Sequence, residues 1–77
     1  MGTQGLTDRN VEILQMMADG YTPQEIALRL GIMLRTVRKH LVRSQSALGA
    51  ASKAQMIARA VALGYVHVVT EVYPIKP

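Results

Sequence analysis

Residues 22–41 read TPQEIALRLGIMLRTVRKHL, and the way this stretch starts, breaks and restarts decides the fold. Thr22-Pro23-Gln24-Glu25 has the form of a capping box: a hydroxyl for the orphan N–H groups, proline at the first helical position and a glutamate three residues on. Tyr21 stands where it can staple onto Ile26. Ile26, Ala27 and Leu30 give this helix its buried side, and Gly31 stops it after about two and a half turns. Leu34 then opens a second periodic run: Leu34, Val37, Leu41 and Leu48, closed by Gly49. Two helices joined by three or four residues that include a glycine have the geometry of a helix-turn-helix.

Outward from this core the chain holds two more helices. Before it, Leu6-Thr7 opens a helix whose cap is Thr7 and whose first turn carries Asp8. Val11, Leu14, Met17 and Ala18 form its apolar stripe, and Gly20 ends it. After it, Ser52 caps a fourth helix, Lys53 to Leu63, with Gly64 as the stop. Ile57, Val61 and Ala60 are expected to face the core. Ala54, Ala58 and Ala62 form a separate row of methyl groups at i, i+4 and i+8, which suits close approach of a second helix. The last stretch, Val66 to Tyr73, is β-branched and partly alternating and has the character of a short strand. One strand does not stand alone in water, so it pairs with another copy, packs as an extended tail or is disordered. The expectation is an all-α, four-helix domain over residues 6–65, with a disordered stretch at 1–5 and an extended or short-strand tail at 66–77.

Seventy-seven residues form one domain with a small core. The absence of cysteine excludes disulfides and thiolate metal sites. Four acids (Asp8, Glu12, Asp19 and Glu25) fall within the first 25 residues, whereas residues 26–64 hold seven cations (Arg29, Arg35, Arg38, Lys39, Arg43, Lys53 and Arg59) and no acid. Such asymmetry points to a polyanionic partner, nucleic acid before an anionic membrane. The most apolar window, Ala54 to Val69, is broken by Gln55, Arg59 and His67 and is too short to span a bilayer. No signal peptide precedes the first helix, so a cytoplasmic protein is expected.

With Leu34, Val37, Leu41 and Leu48 against a core, Arg35, Arg38, Lys39, Val42 and Arg43 fall on the opposite side of the third helix or on its flanks. The second helix of a helix-turn-helix is the one laid in the major groove. There Arg or Lys reaches guanine O6 and N7, and an apolar side chain meets the thymine methyl. Arg35, Arg38, Lys39 and Val42 are therefore the candidates for base edges. Arg43, Lys53, Thr22 and Thr36 are the candidates for phosphates, which take half to two-thirds of protein–DNA hydrogen bonds. His40, beside the apolar stripe, is expected to pack with a hydrogen bond rather than to bind phosphate. Arg29 and Arg59 are expected to be solvated or to face a partner.

The same residues carry a family resemblance. Residues 6–65, most plainly 6–49, resemble the LuxR/GerE-type DNA-binding domain of bacterial transcription regulators. Leu6, Thr7, Arg9, Glu12 and Leu14 match its first element, and Glu25-Ile26-Ala27 its second. Thr36, Val37, His40 and Leu41 match its third, and Leu48-Gly49 its close. The resemblance implies a four-helix domain that binds promoter DNA through the third helix and often dimerises through the fourth. It thus implies sequence-specific binding to double-stranded DNA at an inverted-repeat site and the regulation of transcription, with Ala54, Ala58 and Ala62 at a homodimer interface. Departures are Asn10 where the family favours Glu, Met33 where it has a capping Ser, Arg43 and Ser44 where Asn and Ile are frequent, and Ala47 where Lys is. No receiver or sensor segment precedes the helices, so an excised domain or a small standalone bacterial or phage regulator is expected, with the start at Met1 and the unusual tail pointing to the standalone case. Two alternatives stand beside this expectation. Region 4 of a sigma factor shares the Glu-Ile-Ala and Thr-Val elements and would add RNA polymerase as a partner. An adaptor that kept the fold but lost DNA binding is the other. Two histidines and no obvious carboxylate pair leave little from which to build an enzyme, a metal site or a cofactor site.

Overall fold

The computed structural model describes residues 5–68. Over that range the chain forms α1 (Asp8–Ala18), α2 (Pro23–Leu30), α3 (Leu34–Ala47) and α4 (Lys53–Ala62), and no strand. Residues 1–4 and 69–77 lie outside it, and with them most of the segment expected as a tail.

Three of the four helices start on a side-chain oxygen. Thr7 accepts from the Asn10 N–H at 3.1 Å, Thr22 from Glu25 at 3.2 Å and Ser52 from Gln55 at 3.1 Å. At α2 the box is complete, because the Thr22 N–H also donates to Glu25 Oε1 at 2.8 Å. At α1 it is half complete. Asn10 donates its backbone N–H to the Thr7 hydroxyl but sends its side chain elsewhere, its amide to the Gly5 carbonyl at 3.1 Å and its oxygen to His40. Met33 starts α3 with no side-chain cap at all; only its carbonyl serves, accepting from Thr36 at 2.9 Å and Val37 at 3.1 Å. Between α2 and α3, Gly31 adopts φ +68°. This left-handed conformation suits glycine and lets the Ile32 N–H return to the Ala27 carbonyl at 3.1 Å.

Two apolar clusters share the interior. Leu6, Leu14, Leu48, Met56, Ala60 and Val66 form one. Ile13, Ile26, Ala27 and Val37 form the other, and Leu41 packs against both. The α1 stripe differs from the expected Val11, Leu14, Met17 and Ala18. Its fully buried residues are Asn10, Ile13 and Leu14, with the other three half-buried. Because α1 has a cluster on either side, its inward face is wider than one stripe and its centre falls between Ile13 and Leu14. In α3, Leu34 and Leu41 are half-buried and Val37 is fully buried, and Leu48, just past its end, is buried as well. Ser44 fills the gap between Leu41 and Leu48 and donates its hydroxyl to the His40 carbonyl at 2.9 Å. The α4 core side meets expectation at Ala60 and departs from it elsewhere. Met56 and Ala60 are buried, Ile57 only partly, and Val61 is 38% exposed. The long, flexible Met56 reaches Leu14 and Leu48, and Val61, one residue past Ala60, rotates to the rim.

Past α4 the chain lies against α1. Val66 is buried, and His67 pairs with the Gln15 side chain, its N–H donating to Oε1 at 2.9 Å and its carbonyl accepting from Nε2 at 2.8 Å. The primary amide of Gln15 thus stands in for one rung of a β-ladder at His67.

Candidate nucleic-acid interface

The third helix presents its cations to solvent. Arg35, Arg38, Lys39 and Arg43 are all exposed, and Val42, an apolar residue among them, is 67% exposed. With Val37 and Ser44 buried, α3 is divided lengthwise into an interior face and a basic face. No acid lies on α3 or α4 to neutralise the latter.

A shallow groove runs along each flank of this basic face. On one side Pro23, Gln24, Arg38, Leu41, Val42 and Lys53 line it, so the N-termini of α2 and α4 meet the middle of α3. This brings together Arg38, Val42 and Lys53, three of the expected contacts. Thr22 stands at the same helix start. Its oxygen is engaged by Glu25, which leaves the hydroxyl proton available to an acceptor. On the other side Gly5, Val42, Arg43, Ser46 and Ala47 line the second groove. Val42 borders both and sits on the crest between them. Arg35 and Lys39 lie on the same arc as Val42 at 100° per residue. Thr36 is half-buried, and so is less available than the other three expected phosphate contacts.

His40 is the hinge pin between α1 and α3. Its Nδ1 lies 2.6 Å from Asn10 Oδ1. Since the Asn10 amide donates to Gly5, Oδ1 must accept, and the proton sits on Nδ1. Burial lowers the imidazole pKa from its usual 6.5, and the cations of Arg9, Arg43 and Lys39 lower it further. His40 is a neutral, hydrogen-bonded packing residue, as expected. Arg29 and Arg59, expected to be solvated or to face a partner, are both exposed but tied to the fold. The Arg29 guanidinium carbon lies 4.4 Å from the Tyr21 ring centroid, and Arg59 Nη1 donates to the Leu48 carbonyl at 3.3 Å, at the negative end of α3.

Sequence reasoning missed Asn10 as the polar link across the interior. Its spacing offers a signal, because Asn10 precedes Ile13 and Leu14 by three and four residues and so lies on their face. The Ala54, Ala58 and Ala62 row is exposed along α4, away from the core. Among the described residues no group of three or more His, Asp or Glu could hold a metal ion, and no helix is long and apolar enough to cross a membrane.

The family described as bacterial regulatory proteins, luxR family (GerE), matches residues 4–60. Among curated relatives, the transcriptional activator protein PhzR of Pseudomonas fluorescens is 37% identical over 60 residues, covering 78% of this chain and 25% of PhzR. The quorum sensing-dependent regulator RpaR of Rhodopseudomonas palustris is 43% identical over 61 residues, covering 79% and 25%. The chain thus spans about a quarter of the length of these relatives. The solved structure of the transcription factor GerE superposes with a TM-score of 0.79 at 31% identity, over 84% of this chain and 97% of GerE. The Vibrio cholerae VqmA dimer without its target DNA gives 0.77 at 37% identity, over 84% and 30%. VqmA in complex with ligand and DNA gives 0.76 at 36% identity, over 90% and 30%. With four helices, a family model matching residues 4–60 and sequence identity above 30% to each of these relatives, the chain belongs to the luxR family of bacterial regulatory proteins and carries its helix-turn-helix domain.

Proposed function

We propose that this domain binds double-stranded DNA in a sequence-selective manner and thereby regulates transcription. The observation that carries the proposal is the exposed, acid-free face of α3, where Arg35, Arg38, Lys39 and Val42 stand clear of the core that Val37 and Leu48 anchor. A helix of this kind fits the major groove, where guanidinium and ammonium groups meet guanine and Val42 meets a thymine methyl. Arg43, Lys53, Thr22 and Thr36 hold the phosphates that set the register. The solved complex of VqmA with DNA supports the class of partner. The protein works in the cytoplasm, where promoter DNA is found.

Two copies bind together through α4. The exposed Ala54, Ala58 and Ala62 allow close helix approach, and Val61 and Leu63, 38% and 65% exposed, supply apolar area beside them. Two α3 helices then lie about 34 Å apart and select an inverted repeat. The functional unit spans residues 6–65 together with Val66, which is buried in the core. The reading in which RNA polymerase is a second partner rests only on the motifs shared with sigma factors.

Selection of bound duplexes from a random pool tests the proposal. An enriched inverted repeat is expected, with affinity that falls steeply as salt rises. Absence of enrichment together with salt-insensitive binding would leave only the adaptor reading. Sedimentation across a range of concentrations tests pairing; a monomer mass at every concentration, with and without DNA, rules it out.

A further inference from the structure

We propose that Arg9, on the first turn of α1, contacts a DNA phosphate and, together with Arg43, grips the strand opposite to the one met by the N-termini of α2 and α4. This rests on the DNA-binding reading above and adds to it a residue and a strand.

The major groove is bounded by two backbones about 12 Å apart, so a helix seated in it has one strand along each flank. On one flank of α3 stand Pro23, Gln24 and Lys53. The other flank is built by the turn leading into α1. Gly5 lines a groove with Val42, Arg43 and Ser46, and a Cβ at Gly5 would stand 3.8 Å from Ala47 Cβ. What holds that turn against α3 is the buried Asn10, whose amide binds the Gly5 carbonyl at 3.1 Å and whose oxygen lies 2.6 Å from His40 Nδ1. Arg9 precedes Asn10 directly, and Arg43 follows His40 by three residues. Because Asn10 and His40 touch, Arg9 and Arg43 both flank the α1–α3 junction, and with Lys39 they disfavour a charge on the His40 ring.

Arg9 is held loosely. Its Nη1 lies 3.4 Å from Glu12 Oε1, with both side chains about half exposed. Such a surface pair contributes little and is readily exchanged for a phosphate. Asp8 and Glu12 are the acids on the same turn; against Arg9, Lys39 and Arg43 they leave the junction net positive. Glu12 therefore competes with DNA for Arg9, and removing its charge should tighten binding.

The test is a salt titration of the 77-residue chain on a short duplex of mixed sequence, alongside the duplex enriched by selection. Arg9→Ala is expected to bind both duplexes more weakly, with the slope of log affinity against log salt shallower by about 0.9, the value of one phosphate. The drop in affinity between about 50 and 200 mM salt then becomes about threefold smaller than in the wild type. Arg9→Lys keeps the wild-type slope, and Glu12→Gln binds more tightly than the wild type. Ethylation interference should lose one phosphate in Arg9→Ala, on the strand opposite to the phosphate lost in Lys53→Ala. If the wild type binds steeply with salt and Arg38→Ala blunts its sequence preference while Arg9→Ala keeps the full slope, this inference fails and the DNA reading survives. A fall in affinity that tracks a lowered melting midpoint at unchanged slope overturns it too, as does an unaltered affinity in Glu12→Gln. A wild type with no salt-dependent binding overturns both.

Discussion

The two faces of α3 each carry one residue of the other's type. On the inward face Val37, Leu41 and Leu48 pack with Ser44, which is 1% exposed. On the outward face Arg35, Arg38, Lys39 and Arg43 surround Val42, which is 67% exposed. The buried serine is answered inside the molecule, since its hydroxyl donates to the His40 carbonyl at 2.9 Å; a buried polar group costs little once it is hydrogen-bonded. The exposed valine is answered by nothing in the domain. A misfit whose partner is internal belongs to the fold, whereas a misfit without an internal partner, ringed by like charges, belongs to an encounter with another molecule.

The largest effect should come from breaking the inward face. Val37→Asp puts an unpaired carboxylate at a position with no exposure and is expected to cost several kcal/mol. A domain of this size has few to spare, so the helical circular dichroism signal should be lost at room temperature. A variant that stays helical and still binds DNA would show that the two faces are not distinct. The outward face should behave in the opposite way. Arg38→Ala is expected to leave the unfolding free energy within about 0.5 kcal/mol of the wild type and to lose about 1–3 kcal/mol of discrimination at one base pair. Arg43→Ala should instead weaken all duplexes alike. If the two variants weaken binding identically on selected and mixed duplexes, the division between base and phosphate contacts falls.

How much of this was legible in sequence follows from how local each signal is. The capping box at Thr22, the break at Gly31 and the periodicity of α3 depend on neighbours within a few residues, and the structure reproduces them. So does the outward placement of the cations. The misses are residues whose role is set by distant chain. Asn10 is polar by type but buried, because its partner His40 lies thirty positions on. Ile13 falls outside the expected stripe because α1 packs against two clusters, a fact no single helix encodes. Met56 displaced Val61 from the core because a flexible thioether reaches farther than a β-branched side chain. Gln15 gave no hint that it would pair with the His67 backbone. At the interface, residue type and helical phase identify the exposed cations, but the flanking grooves depend on where the N-termini of α1, α2 and α4 come to rest.

Met33 offers a smaller test, at the end of α3 where the two faces begin. Thr7, Thr22 and Ser52 each cap a helix with an oxygen, and Met33 does not. Its backbone is already extended, at φ −77° and ψ 148°, so a serine there needs no rearrangement to accept from the first-turn N–H groups. Met33→Ser should stabilise the domain by about 1 kcal/mol, raising the melting midpoint by about 4–8 °C. An unchanged or lower midpoint would mean that the methionine side chain, 58% exposed, contributes packing that offsets the missing cap.

The smallest effect should be a gentle loss of stability in mild acid, set by His40 at the border of the two faces. Its folded-state pKa lies below the usual 6.5 because burial, and then Arg9, Arg43 and Lys39, disfavour the imidazolium. Below pH 6.5 the unfolded chain therefore binds a proton that the folded one resists, so stability present at neutral pH is lost progressively as pH falls through that window toward the depressed folded value. Only a fraction of one proton is involved, and the slope should be shallow. Denaturant titrations between about pH 7 and 5.5, run on the wild type and on a variant that lacks the imidazole, isolate the contribution of His40. His40→Gln can still donate to Asn10 while carrying no titratable group. It should flatten the slope without raising stability at pH 7. If the slope persists in His40→Gln, the proton is taken up elsewhere, and the tie between α1 and α3 is insensitive to the charge around it.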